Sequence, residues 1–464
     1  MSSTVTAGMR APSDCVCNYF QPPPTVRYSI LGVRQTQHVT DVLDDLAARG
    51  LIALSTDETA LRSALSAGPV TYYCGFDPTA PSLHTGNLLQ FMVLRALQRA
   101  GHQPIVLIGG ATGLIGDPHP DSERVLNDRD TVADWVARIR HQVSPFLERP
   151  ASEDPTLLAP IYVNNLDWTA ALSTVDFLRD IGQHFRVGRM LAKEAVSARL
   201  NSPVGISYTE FSYQVLQGMD FLELYRRHGC RLQTGGSDQW GNLTAGVDLI
   251  HRVAGVSVHA LATPLVTKAD GQKFGKTATG TLWLDPALTS PYAFFQFWLN
   301  AADADIQAWL PMFSERPAAE IEELLHSTSD RPGVRQAQRE LARELTTLVH
   351  GERASTQAEA AGQALFGRGV ELEELDADTL AAALSEIGLT ELDMPTPGFA
   401  SLLERAGLAN SLSQARRTVD EGGAYVNNRR IADPEAVPDE SDWLNGHYLV
   451  LRRGKRQVAG LRRR

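Results

Sequence analysis

The spacing of apolar and polar residues changes period along the chain, and each change predicts an element. Val70–Phe76 (VTYYCGF) is β-branched and aromatic, which favours a strand. Gly86–Ala100 repeats apolar residues at helical spacing and stops at Gly101. Pro104–Ile108 is wholly apolar, as in a strand buried on both faces. Strand, helix and buried strand make a βαβ unit, so a parallel sheet in an α/β domain is expected. Helices are predicted over His38–Gly50, Thr174–Gly182, Met190–Leu200, Tyr208–His228 and Asn242–Val253, and a short strand over Arg231–Gln233. Residues 303–366 read as a mostly helical block. Glu371–Met394 carries eight acids and no Lys or Arg before Pro395 and Pro397, a composition shift that marks a domain boundary. Residues 1–38, with Pro22-Pro23-Pro24, show no periodicity and read as a disordered extension.

Composition narrows the class. The 464 residues are 43% hydrophobic and 21% charged, as in a soluble globular protein of two to four domains. No apolar run approaches a membrane span, so no membrane partner is expected, and the scarcity of cysteine points to a reducing cytosol. The four cysteines, Cys15, Cys17, Cys74 and Cys230, form no C-x-x-C pair, which argues against a disulfide scaffold or a zinc site. The net charge is −11, yet residues 396–464 hold 12 Lys/Arg and 8 Asp/Glu, a net of +4. An acidic body with a basic tail suggests a polyanion partner met by the carboxy-terminal module. There are five lysines, Lys193, Lys268, Lys273, Lys276 and Lys455, and three of them fall within nine residues.

Five segments carry candidate chemistry. Ser82-Leu83-His84-Thr85-Gly86-Asn87 lies at the strand-to-helix turn, where free N–H groups and the helix dipole suit a phosphate. His84 can donate a ring N–H there, or simply cap the turn. Lys273-Phe274-Gly275-Lys276-Thr277 sets two lysines three apart in a Gly- and Thr-rich loop that can reach a polyphosphate, although it is not a P-loop. Tyr213, Gln217 and Asp220 share a helix face suited to a small polar substrate. Gln233-Thr234-Gly235-Gly236-Ser237-Asp238-Gln239-Trp240-Gly241-Asn242 lets backbone approach a ligand, with Asp238 available for ribose hydroxyls. Gly109–Pro118 (GGATGLIGDP) is a second glycine-rich loop.

Together YCGFDPTAPSLHTGN, GGATGLIGDP, SYTEFSYQVLQGMDF, LQTGGSDQWGN and KADGQKFGKT strongly resemble a bacterial-type tyrosyl-tRNA synthetase, a class I aminoacyl-tRNA synthetase. The resemblance runs from about residue 39 to 464. It implies a Rossmann-like catalytic domain (39–262), a signature loop with a helical tRNA-contacting domain (263–369), an acidic linker (370–395) and a small α+β RNA-binding module (396–464). It implies ligation of L-tyrosine to tyrosine tRNA through tyrosyl-adenylate, by a homodimer that uses ATP with Mg²⁺ and no protein-held metal. His84 and Asn87 match the class's H-x-G-H motif, and Lys273, Lys276 and Thr277 its K-M-S-K-S loop. Tyr73 and Asp220 match the pair that bonds the substrate phenol. Tyr213, Gln217 and Asp117 match the groups around its α-amino end, and Gln233 falls with the tyrosine set. Cys74, Asp77, Thr79, Gly86, Gly236, Asp238 and Gln239 match the ATP and adenylate contacts.

Three departures stand out. Asn87 replaces the second histidine of the motif. The family's lysine pair after Asp117-Pro118 is missing from His119-Pro120-Asp121-Ser122-Glu123-Arg124, which leaves Arg124 as the cation there. The amino-terminal extension has no counterpart. A related nucleotidyltransferase would not need the tyrosine set or the RNA module. A decayed RNA-binding relative would have lost Lys273, Lys276, Asp220 and Tyr73.

Overall fold

Two sheets organise the chain. A computed structural model describes residues 41–464 except 119–123, 125, 204, 272–273, 278–279 and 367–370. The amino-terminal extension, Lys273 and most of the His119–Arg124 departure lie outside the described residues, as do the side chains of Lys276 and Thr277.

The strands of the first sheet are β1 (Leu54–Ser55), β2 (Thr71–Phe76), β3 (Gln103–Ile108), β4 (Ile161–Asn164), β5 (Leu232–Gly236) and β6 (His259–Thr263). Their spatial order is β1-β6-β5-β2-β3-β4, parallel except for β1. The chain proceeds outward from β2 through β3 and β4 on one side. It then returns to lay β5 and β6 on the other. The switch point therefore falls between β2 and β5, where a doubly wound sheet opens a crevice at its carboxyl ends. Tyr73 lies opposite Ile105 on β3 and Gln233 on β5. The helix after β2, Thr85–Arg99, buries Leu88, Phe91, Leu94 and Leu97 against the sheet.

A hairpin of β7 (Lys276–Thr277) and β8 (Gly280–Thr281) leads into a helical body over residues 291–364. Its core holds Phe294, Phe295, Trp298, Trp309 and Phe313. Arg95 and Arg99 from the Thr85–Arg99 helix both pair with Glu315, tying this body to the sheet domain.

The second sheet contains β9 (Leu389–Leu392), β10 (Ala424–Val426), β11 (Arg429–Arg430), β12 (Tyr448–Arg453) and β13 (Gln457–Arg463) in the order β11-β10-β12-β13-β9. Strand β9 runs parallel to β13. Residues 371–395, most of the expected acidic linker, thus carry folded structure. Helix Ala377–Ile387 buries Leu380, Ala383 and Leu384 in the main core, and β9 closes the second sheet. Its acids lie on the faces that this burial leaves outside.

Two other elements differ in detail. Thr174–Gly182 is one α-helical turn running into a π turn and a tighter one. Met190–Leu200 is two short helices, Val187–Leu191 and Glu194–Leu200, broken at Ala192-Lys193. Tyr208–His228 has the expected bounds, with Ser207 capping its start and left-handed Gly229 its end.

Candidate active site

A cleft of about 420 Å³ opens at the carboxyl ends of β2 and β5. Its lining gathers Tyr73, Cys74, Asp77, Thr79, His84, Gly86, Asn87, Asp117, Tyr213, Gln217, Asp220, Gln233, Gly236, Asp238 and Gln239, together with Arg124 and Phe274. Segments far apart in sequence meet there because β2, β5, the loop after β3 and the Tyr208–His228 helix converge on the switch point.

The floor is polar and buried. Asp220 is 2% exposed, and its Oδ1 accepts from the Trp168 indole at 2.8 Å and its Oδ2 from Asn165 at 3.0 Å. Burial pushes its carboxyl up to about 7, and these two donors oppose the rise. Tyr73 is 1% exposed and its hydroxyl has no hydrogen-bond partner among the described residues. Burial first, and then the charge of Asp220, raise that phenol well above its ordinary range, so it remains a donor. Gln233 Oε1 is likewise buried without a partner among them. An orphan hydroxyl, an orphan amide oxygen and a carboxylate at one floor form an incomplete hydrogen-bonding set, which a polar ligand can complete.

The middle of the cleft is acidic. Asp77 accepts from Thr112 and Tyr213, each at 2.6 Å, and burial pushes it up to about 6 against those bonds. Asp117 accepts from Gln239 at 3.1 Å and Asn242 at 3.2 Å. Burial raises it too, countered by those amides and by the charges of Lys193 and Arg124. Arg124 donates to the Asp117 carbonyl at 2.8 Å, crossing over left-handed Gly116. A side chain at Gly116 would meet the Arg124 stem.

The mouth is a helix N-terminus. His84 is the cap: its Nδ1 accepts from the Gly86 N–H at 3.0 Å. Asn87 Oδ1 accepts from the His84 N–H at 3.1 Å. The capping alternative for His84 therefore holds, and it has a chemical consequence. A neutral ring with Nδ1 accepting carries its proton on Nε2, and Asn87 keeps its amide donors. Both residues are fixed as donors by their own capping box. The signature loop rests on this mouth. Gly275 has φ +71°, and a Cβ there would stand 2.3 Å from Thr85 Oγ1, so only glycine fits. Phe274 beside it packs among Phe297, Trp298, Trp309 and Phe313 with ring centroids 5.0–5.8 Å away.

Sequence reasoning missed Trp168, Asn165 and Lys193, and left Asn242 without a role. Lys193 alone carried a signal, as one of few lysines in the chain.

The comparisons with known proteins follow this geometry. The chain is 61% identical over 424 residues to the tyrosine–tRNA ligase of Streptomyces avermitilis, covering 91% of this chain and 99% of that one. The chain belongs to the tyrosine–tRNA ligase family. A model of class I tRNA synthetases (W and Y) matches residues 65–367, and one of the tyrosine–tRNA ligase SYY-like C-terminal domain matches residues 380–459. The family member from Acidothermus cellulolyticus is 58% identical over 92% of this chain and all of its own. Among solved structures, a C-terminally truncated mitochondrial tyrosyl-tRNA synthetase from Coccidioides posadasii matches with a TM-score of 0.62 and 32% identity. It covers 69% of this chain and 92% of that one. The corresponding Aspergillus nidulans structure gives 0.65 and 28%, covering 71% and 95%.

Proposed function

We propose that this enzyme joins L-tyrosine to ATP in the cleft, giving tyrosyl-adenylate and pyrophosphate, and then passes the tyrosyl group to the 3′ end of tyrosine tRNA. The observation that carries the reading is the floor: the unpartnered Tyr73 hydroxyl beside the buried Asp220 carboxylate. A phenol can donate to Asp220 and accept from Tyr73 at once, whereas the unsubstituted ring of phenylalanine can do neither. Asp117, Tyr213 and Gln217 then lie along the substrate's α-ammonium end. Cys74, Asp77, Thr79, Gly86, Gly236, Asp238 and Gln239 border the adenosine and ribose.

The reaction needs no protein nucleophile. The tyrosine carboxylate attacks the α-phosphate, and negative charge grows on the leaving pyrophosphate. Catalysis is alignment plus electrostatic stabilisation. His84 Nε2 and the Asn87 amide aim donors at the phosphates, Lys273 and Lys276 supply positive charge to the leaving pyrophosphate, and Thr277 adds a hydroxyl donor. Magnesium arrives as part of the ATP substrate and neutralises its phosphates. Among the described residues no three His, Cys, Asp or Glu side chains could share a metal ion.

Two further assignments belong to the same reading. The carboxy-terminal module, with its net positive charge, binds the tRNA. The enzyme works as a cytoplasmic homodimer; exposed Val175, Leu178, Val187, Leu191, Leu200 and Tyr208 fall within one stretch of chain and supply apolar area for a second copy. Among the described residues no helix is long and apolar enough to cross a membrane.

Tyrosine-dependent exchange of pyrophosphate into ATP is the test. Exchange should occur with tyrosine and fall steeply in Lys276→Ala and His84→Ala with little change in tyrosine affinity. Exchange that is equal with other amino acids, or absent, would remove the proposal.

A further inference from the structure

Lys193 takes part in no step described above. It occupies the break between helices Val187–Leu191 and Glu194–Leu200, immediately before the second. Its side chain runs inward beneath Gly241, where a Cβ would stand 2.8 Å from Lys193 Cε. The ammonium donates to Asn242 Oδ1. The other end of that amide donates to Asp117 Oδ1 at 3.2 Å and to Gln239 Oε1 at 2.7 Å. Gln239 in turn donates to Asp117 Oδ2 at 3.1 Å. A cavity of about 290 Å³ behind the main cleft has Lys193, Asn242, Asp117, Glu210 and Trp240 in its wall.

A side-chain amide has a donor end and an acceptor end, and it can turn over. With an ammonium on Oδ1, only one orientation of Asn242 is favourable, and it points the NH₂ group at Asp117. Without the ammonium Oδ1 loses its donor, the amide is held at its NH₂ end only, and Asp117 loses the positive charge behind it, so the bond from Asn242 to Asp117 is less firmly aimed.

We propose that Lys193 is a positioning residue for the amino-acid substrate, fixing Asn242 so that Asp117 is held ionised and aimed at the substrate's α-ammonium. This rests on the reading of Asp117 as the ammonium's acceptor. The electrostatics agree with the geometry. Burial lowers the Lys193 ammonium to about 8 while the charge of Asp117 acts against this, and Lys193 in turn counters the burial that raises Asp117.

The test uses the full-length protein and three ligands: tyrosine, tyramine (which keeps the amine) and 4-hydroxyphenylpropanoate (which lacks it). Lys193→Met should weaken tyrosine and tyramine by about tenfold each, roughly one hydrogen bond to a charged group. It should leave 4-hydroxyphenylpropanoate affinity and the KM for ATP unchanged. Lys193→Gln gives the same comparison if the methionine variant does not fold. Asp117→Asn serves as the control for the underlying reading. If Asp117→Asn weakens tyrosine and the Lys193 variants do not, the role of Lys193 is overturned. If Asp117→Asn has no effect, the reading of Asp117 fails instead. Equal losses for all three ligands would make Lys193 a structural residue and overturn the proposal.

Discussion

The indole of Trp168 donates to Asp220 Oδ1 across 2.8 Å, 52 residues away in sequence. Both side chains are buried, so the bond is unscreened by water. It acts against the burial that raises the Asp220 carboxyl. Trp168→Phe keeps an aromatic ring at a site that lies under Arg227, and removes the indole donor along with part of the ring. Tyrosine affinity should fall by about 1.5–3 kcal/mol, as for a hydrogen bond to a charged group. Calorimetric titration with tyrosine checks this; an unchanged affinity would mean that Asp220 does not meet the phenol.

Tyr73→Phe should separate stability from binding. The hydroxyl is buried and unpartnered in the free protein, so removing it should leave the melting temperature unchanged or raise it. Tyrosine binding should weaken by about 0.5–1.5 kcal/mol, the worth of one neutral hydrogen bond. Discrimination against phenylalanine should narrow, since less is left unsatisfied when that analogue binds. A lower melting temperature with wild-type tyrosine affinity would contradict both halves.

Tyrosine affinity should depend on pH. Asp220, pushed up to about 7, accepts from the phenol as a carboxylate and loses that capacity when protonated. Affinity should therefore be highest above pH 7 and fall as the pH drops through 7 toward 6, where Asp77 also protonates. Stability of the free protein should move the opposite way. A carboxyl raised above its unfolded value favours folding most below the unfolded pKa and loses that contribution as the pH rises through about 7. Asp220→Asn should flatten the upper part of both curves, measured by titration and thermal melting from pH 5.5 to 8.5.

Glu315 should show the reverse sign. Burial raises its carboxyl, but Arg95 and Arg99 outweigh this and hold it at about 2. The resulting stability is present above the unfolded pKa and lost as the pH falls from about 4.5 toward 2. Glu315→Gln should cost about 1–3 kcal/mol at neutral pH and remove that acid sensitivity. Urea unfolding at pH 7 and pH 3.5 tests it, and equal losses at both pH values would refute the assignment.

Truncation has a structural limit. Helix Ala377–Ile387 covers helices Pro291–Leu299 and Glu352–Ala364 with Leu380, Ala383 and Leu384. A chain ending near Gly369 uncovers that surface, so it should melt well below the full chain and make adenylate poorly at 37 °C. A chain ending at Gly388 should keep pyrophosphate exchange and lose tRNA charging. Normal charging by either one would remove the proposed tRNA role of the second sheet.

Much of this was readable where local signals coincide. Ser207 and Gly229 bracket a helix whose periodicity agrees with them, and its bounds were legible. The break at Ala192-Lys193 carries no glycine or proline, so the helical pattern reads straight through it. The acids of 370–395 dominate its composition, yet Leu380, Ala383 and Leu384 share one helix face and bury it. Most residues lining the cleft sit in compact motifs. The groups that brace them do not: Asn165 and Trp168 reach Asp220 only through the tertiary fold, and nothing local marks them.

The pairing of β9 with β13 also sets an order of events as the chain is made. Leu389–Leu392 leaves the ribosome well before Gln457–Arg463, its parallel partner. Until then β9 presents an open edge, the kind of surface that pairs with whatever strand is nearest. The body before it meets the last strand through helix Ala377–Ile387, whose Leu384 lies against Gly460 of β13, while the strands that form the cleft lie further back in the chain and can close early. The newborn protein therefore passes through an interval in which its catalytic cleft is built while its second sheet still awaits its final strand, and that interval is when it is most exposed to pairing with a neighbouring chain.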